Sequence, residues 1–437
     1  MAECIQESFA FPVCKRRVVE ANFRGGDITS NGGVLLLREA DRRLGLCEAV
    51  SRVLKDPRDP RRCLHGSEDL LRQRVYALAL GYEDLNDHDA LRHDLAVQTA
   101  VDRIEPLASS ATLCRWENRA DREVAWRIHE VMLERFIASF DAPPEELILD
   151  FDATDDAVHG KQEGRFFHGY YDHYCFLPLY VFCGDRLLVS YLRPSKIDAA
   201  RHAWAILALL VKRLRRAWPK VRIVFRGDSG FCRWRLLAWC ERNDVGYIVG
   251  LAKNKRLNAQ TTALQREVQD QYAASKEKVR RFTEFPYAAG SWDRERRVIA
   301  KIEHTEQGIN PRYVVTNLEG DPQALYDTLY CARGEMENRI KEQQLDLFAD
   351  RTSCHRWWPN QFRLLLSSLA YTLLEAIRRL ALAGTELEQA YVGTLRLRLL
   401  KIGAVILRNT RRIRFLLSSA CPDKTLFFHV ASKLAPG

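Results

Sequence analysis

Three short stretches of this chain carry acidic side chains in patterns that could do chemistry. In "LILDFDAT", the alternation of a strand puts Ile148, Asp150, Asp152 and Thr154 on one face, and Leu147, Leu149, Phe151 and Ala153 on the other. Two carboxylates on one face of a buried strand are costly unless a cation or a hydrogen-bond donor satisfies them. In "VRIVFRGDSGF", Asp228 follows a strand and precedes a Gly turn and a helix. Ligands of open α/β sheets sit at that end of a strand, although the same residue type also caps turns. In "LYCARGEMENRIKEQQ", a helical projection at ~100° per residue sets Tyr330, Arg333, Glu337 and Lys341 within ~80° of one another. This polar stripe borders an apolar arc of Leu325, Leu329, Ala332, Met336 and Ile340. Plain ion pairs of Glu337 with Arg333 and Lys341, each four residues away, also account for it. If Asp152 (or Asp150), Asp228 and Glu337 converge, three carboxylates from distant parts of the chain would hold two Mg²⁺ or Mn²⁺, hard ions that take oxygen ligands. Such a pair clamps the attacking and leaving oxygens of an in-line phosphoryl displacement.

The elements needed to position these residues are legible. Residues 1–146 read as mainly helical, with a helix from Ser67, expected as its cap, to a stop at Gly81. The segment "SSATLCRWENRADREVAWRIHEVMLERFIASF" gives a short helix and a long one, either a helix-turn-helix or two packed helices. "DAPPEE" at 141–146 marks a boundary. From Leu147 the order becomes β-β-β-α-β-α-β, with a turn at Gly184 and Asp185, as in a ribonuclease H-like core over 147–256. A β-rich insertion follows over 257–320. The core resumes over 321–385, where Asp321 and Pro322 form an N-cap and first turn. Residues 386–437 form a basic C-terminal region. The fold class expected is therefore α/β, with a helical N-terminal region expected to bind DNA.

Composition narrows the partners. The 437 residues are 47% apolar, which suits a globular chain. No apolar run reaches the ~18 residues of a membrane span, and the basic residues near the N-terminus follow the apolar ones, the reverse of a secretion signal. Twelve cysteines at irregular spacing, without a C-x-x-C pair, suit a reducing cytoplasm. The net charge of +10 is concentrated: 14 Lys and Arg against 3 acids over 201–256, and 9 against 1 over 392–437. Such stretches suit a polyanion, whose neutralised phosphates release counterions. The tail "RLRLLKIGAVILRNTRRIRFLLSS" reads as a strand pair laid on DNA or as a basic dimer edge. The cluster His168, Asp172, His173 and Cys175 fits no common zinc spacing.

Taken together, the motifs resemble those of bacterial insertion-sequence transposases of the DDE class, in the group with a Tyr-x-x-Arg-x-x-x-Glu signature. Tyr330, Arg333 and Glu337 stand at that spacing, followed by Asn338, while "DAT" at Asp152 and "GDSGF" at Asp228 match the two Asp motifs. The likeness runs from about residue 18 to the C-terminus. It implies that Asp152, Asp228 and Glu337 are catalytic and hold two divalent ions. Tyr330, Arg333 and Lys341 would contact the DNA phosphate near the cut. The signature often places a Lys where this chain has Gln344; Lys341 lies on the appropriate face. An aromatic of the insertion would meet a flipped base, and Trp292 is the one expected, unless it packs the β insertion. The resemblance further implies cleavage at inverted-repeat ends, strand transfer into target DNA, and a homodimer. A nuclease on the same core, or an inactive DNA-binding regulator, are the alternatives.

Overall fold

The strand that carries Asp150 and Asp152, β1 (Glu146–Ala153), lies in the middle of an eight-stranded mixed sheet. A computed structural model describes residues 8–435. Its chain divides into two compact units, one of residues 117–372 and one of residues 1–116 with 373–437.

In the first unit, α1 (Arg122–Ala138) precedes β1, and β2 (Leu179–Cys183) and β3 (Arg186–Tyr191) form an antiparallel hairpin about Gly184. Gly184 takes a left-handed φ of 58°, which the tight turn requires. The chain continues through α2 (Ala203–Ala217), β4 (Arg222–Gly227), α3 (Trp234–Arg242) and β5 (Gly246–Leu251). The sheet order across these strands is β3-β2-β1-β4-β5; β1, β4 and β5 run parallel, and β2 runs against β1. That order and direction are those of a ribonuclease H-like core, as the element rhythm predicted.

The expected β-rich insertion begins with two helices, Lys255–Gln260 and α4 (Thr262–Ser275), which its polar start did not announce. Three antiparallel strands follow, β6 (Val279–Tyr287), β7 (Arg296–Thr305) and β8 (Gly308–Thr316). They extend the main sheet, because β8 pairs antiparallel with the β5 edge. The sheet's apolar side chains share one core: Leu149 and Phe151 of β1, Phe225 of β4, Tyr247 of β5 and Val298 of β7 pack with Leu207 and Leu237 of the helices. Two helices close the unit, α5 (Arg333–Leu347) and α6 (Trp357–Ile377).

The second unit brings the N-terminal helices together with the C-terminal segment. Its helix Ser67–Leu80 stops at Gly81, in a left-handed conformation, as predicted. Its start differs from expectation. Gly66 is the cap residue, and its N–H donates to the Asp69 carboxylate, whereas the Ser67 hydroxyl donates to Asp56. Strands Ala404–Arg408 and Ile413–Leu417 pair with Ile28–Thr29 in a small sheet, and a separate ribbon joins Ser8–Cys14 to Arg17–Asn22.

Candidate active site

Strand alternation places Asp150 and Asp152 on the face of β1 opposite its core residues, and the structure gives them different surroundings. Asp150 is buried and bound on both oxygens by the Arg226 guanidinium, at 2.6 Å for the Nη2–Oδ2 pair. Burial raises its pKa, and Arg226 and Arg333 oppose that shift. Asp152 lies two residues nearer the strand's C-terminal end, and its side chain keeps 15% exposure.

Asp228 reaches the same place from the neighbouring strand. In the parallel pair, Arg226 is the partner of Asp150 and Gly227 of Phe151. Asp228 follows the last paired residue of this strand, close enough for its charge to act on Asp152. Its Oδ1 accepts from the Gly230 N–H at 2.9 Å, so the turn-capping role is also real. Gly250 of β5 leaves room for this turn. A Cβ there would lie 2.6 Å from the Tyr330 hydroxyl and 2.8 Å from the Ser229 nitrogen.

The third contribution comes from the segment before α5, which departs from a uniform helix. Asp321 caps it as predicted, accepting from the Ala324 N–H at 2.8 Å. Leu325–Tyr330 then form a π-helical turn, in which the Cys331 N–H donates to the Tyr326 carbonyl. Arg226 donates to the Leu329 carbonyl within this turn. One buried guanidinium thus ties β1, β4 and the Tyr330 turn together. Sequence reasoning missed Arg226, although its position two residues before Asp228 on the same strand face was a usable signal. Past the turn, Arg333 contacts Glu337 at 2.5 Å and Asp152 at 3.6 Å.

Asp152, Asp228, Glu337, Arg333 and Tyr330 are therefore gathered in one place, at the C-terminal ends of β1 and β4. Burial lifts the pKa of the Asp152 carboxyl to about 7; Arg333 opposes the shift, while the negative charges of Asp228 and Glu337 add to it. The pKa of Tyr330 is raised first by burial, then feels Arg333 and Asp228 in opposite senses. That of Tyr171, on the hairpin loop after Phe166–His168, is pushed up to about 12 by burial and by Asp155 and Asp152. His173 of that hairpin pairs with Asp155 at 2.8 Å.

Two expected residues stand apart. Lys341 is exposed, one turn beyond Glu337. Gln344 donates to the Asp155 carbonyl at 2.9 Å. Trp292 packs at the β insertion, edge-on to Tyr287 at 5.7 Å and under the Arg296 guanidinium at 5.4 Å.

The donor set fits a hard divalent cation: three carboxylates, one of them desolvated, face a single guanidinium. Among the described residues, no group of three or more His, Cys, Asp or Glu side chains is already drawn together around a metal position. Arg333 bridges Glu337 and Asp152.

No curated protein matches the chain. Among solved structures, the piggyBac transposase synaptic complex with hairpin DNA, determined by cryo-EM, aligns at a TM-score of 0.42 and 12% identity, over 84% of this chain and 80% of that one. The family model for the transposase DDE domain, group 1, matches residues 11–436, nearly the whole sequence, and the chain belongs to that family of DDE transposases.

Proposed function

We propose that Asp152, Asp228 and Glu337 are the catalytic carboxylates of this transposase and that they bind two Mg²⁺ or Mn²⁺ ions. The observation that carries this reading is the Arg333 bridge, which joins Asp152 of β1 to Glu337 of α5 and also feels the charge of Asp228. The ions would supply Lewis-acid polarisation of the phosphoryl group and a more acidic attacking water. Arg333 would turn from Glu337 to the DNA phosphate, a charge-assisted contact suited to a guanidinium. Tyr330, whose hydroxyl lies against the Asp228 turn, would orient the same phosphate. The substrates would be the inverted-repeat ends of a bacterial insertion sequence and a target DNA. The protein would act as a homodimer in the cytoplasm, with Lys341 following the DNA along α5. Trp292 would meet a flipped base only if it left Tyr287. Among the described residues no helix is long and apolar enough to cross a membrane.

Duplex DNA carrying the element's ends, incubated with the protein and Mn²⁺, tests the proposal. Cleavage is expected to fall by ~10²–10³-fold or more in Asp152→Ala, Asp228→Ala and Glu337→Ala, with DNA affinity kept within a few-fold. Undiminished cutting in EDTA, or by Asp152→Ala, overturns it. A pre-cut end with a free 3′-hydroxyl should be joined to target DNA; cleavage without joining would make the protein a nuclease.

A further inference from the structure

The N-terminal end of α2 and one face of α3 line an open cleft of about 860 Å³ near the Asp228 turn. It is lined by Trp204, Trp234, Arg201, Arg233, Arg235 and Arg242. Arg233 is five residues beyond Asp228. The turn between them touches the loop before α2, since a Cβ on Gly230 would sit 3.4 Å from that of Ala199. The cleft therefore opens beside the proposed catalytic carboxylates, in the same unit.

Several arginines of the unit are paired with carboxylates, as Arg280 is with Asp327 and Arg297 with Glu284. In the cleft only Arg233 is, with Asp198. Arg201, Arg235 and Arg242 meet no carboxylate among the described residues. The Arg235 guanidinium instead lies 5.4 Å from the Trp234 ring centroid. Trp204 is 54% exposed, a large aromatic left in water at the mouth of a cationic cleft. The pKa of His202, on the same rim, is lowered by burial and then by the charges of Arg193 and Arg201.

Unpaired cations call for an anion, and a small inorganic anion would leave both tryptophans without a role. An exposed ring, Trp204, and the half-buried Trp234 beside arginines supply stacking faces and phosphate contacts together, which is how single strands are held. A duplex hides its base faces and cannot use the rings. We infer that this cleft binds a single-stranded DNA segment next to the scissile phosphate, with bases on Trp204 and Trp234 and phosphates on Arg201, Arg235 and Arg242. The inference rests on the reading of Asp228 as catalytic for its place in the reaction, but its binding chemistry can be measured separately.

The test compares a blunt duplex with the same duplex carrying a six-nucleotide 3′ tail, by fluorescence anisotropy with the full chain and no divalent ion. The tailed duplex should bind about tenfold or more tightly. Trp204→Ala should erase that advantage and leave blunt-duplex affinity within about twofold; Trp204→Phe should keep most of it. A tail of abasic sites should behave in the wild type as the normal tail does in Trp204→Ala. Equal binding of both duplexes by the wild type overturns the inference, as does a tail advantage that survives in Trp204→Ala and in Arg235→Ala. Cleavage of the tailed duplex with Mn²⁺ by Asp152→Ala is run alongside. Retained cleavage there would sink the carboxylate assignment without touching the tail result.

Discussion

Asp152 couples the chemistry of the site to its stability. Its folded-state pKa of about 7 lies above the ~3.9 of an unfolded Asp, so folding favours the protonated carboxyl. The stability this supplies is fully present below the unfolded value and is lost as pH rises through about 7. In EDTA, the thermal midpoint should therefore fall between pH 4 and pH 8. At pH 8, Asp152→Asn should be more stable than the wild type by ~1–3 kcal/mol while being inactive. Added Mn²⁺ should raise the wild-type midpoint more than that of the variant. Thermal melts across the pH range decide the matter, and a variant that is less stable at pH 8 contradicts it. Gly250 is the second residue-scale case, because it has no side chain where the Tyr330 hydroxyl and the Asp228 turn meet. Gly250→Ala should cut cleavage by ~10-fold or more by shifting those groups, and a variant with wild-type cleavage would show that the approach is not needed. Strand alternation made the face shared by Asp150 and Asp152 legible in sequence. It could not separate the two, because the difference is a guanidinium from another strand: Arg226 takes Asp150 and leaves Asp152 facing Arg333.

At the scale of elements, the site depends on how one irregular segment meets the sheet. A uniform helical projection assumes one regular helix, but the segment is a π turn at Leu325–Tyr330 followed by a turn and then α5 from Arg333. Periodicity cannot reveal such a turn, since it is fixed by a tertiary contact, the bond from Arg226 to the Leu329 carbonyl. Beyond the turn, α5 is held by buried polar groups. Gln343 donates to the Ser368 hydroxyl at 2.9 Å, which meets the Ser190 hydroxyl at 2.6 Å, and Arg339 donates to Asp185 at 2.8 Å. Gln361 of α6 joins this group, donating to the Ser190 carbonyl at 3.0 Å and accepting from the Leu192 N–H at 2.7 Å. Arg226→Ala should destabilise the fold by ~3–5 kcal/mol, because it leaves the Asp150 carboxylate buried and unpaired. An apolar replacement of both partners, Asp150→Leu with Arg226→Met, should recover most of that stability. It should not recover cleavage, because the Leu329 carbonyl still lacks its donor. Chemical denaturation with a cleavage assay separates the two effects, and a double variant with wild-type cleavage would show that Arg226 serves stability alone.

Across the whole molecule, positive charge is concentrated in two stretches, and the C-terminal one leaves part of it without internal partners. The C-terminal stretch with 9 Lys and Arg against 1 acid folds in part into the hairpin Ala404–Arg408 and Ile413–Leu417. Its inner face buries Ala404 and Ile406, while Arg411, Arg412 and Arg414 are exposed about the turn. Among the described residues, these three side chains have no acidic or hydrogen-bonding partner. Arg408, by contrast, donates to the Ile104 carbonyl at 2.8 Å. The alternation of apolar and basic residues had left open a strand pair on DNA or a basic dimer edge. The free turn arginines favour DNA, because like charges would repel across an edge shared by two copies. If these arginines neutralise phosphates, replacing all three by Ala should weaken binding of any duplex, whatever its sequence. The slope of log K against log salt should become shallower by ~2–3, close to one for each phosphate that is no longer neutralised. A drop in affinity confined to the inverted-repeat ends would instead make the hairpin a reader of sequence. An unchanged slope together with a shift of the protein to monomer would return the hairpin to the dimer edge.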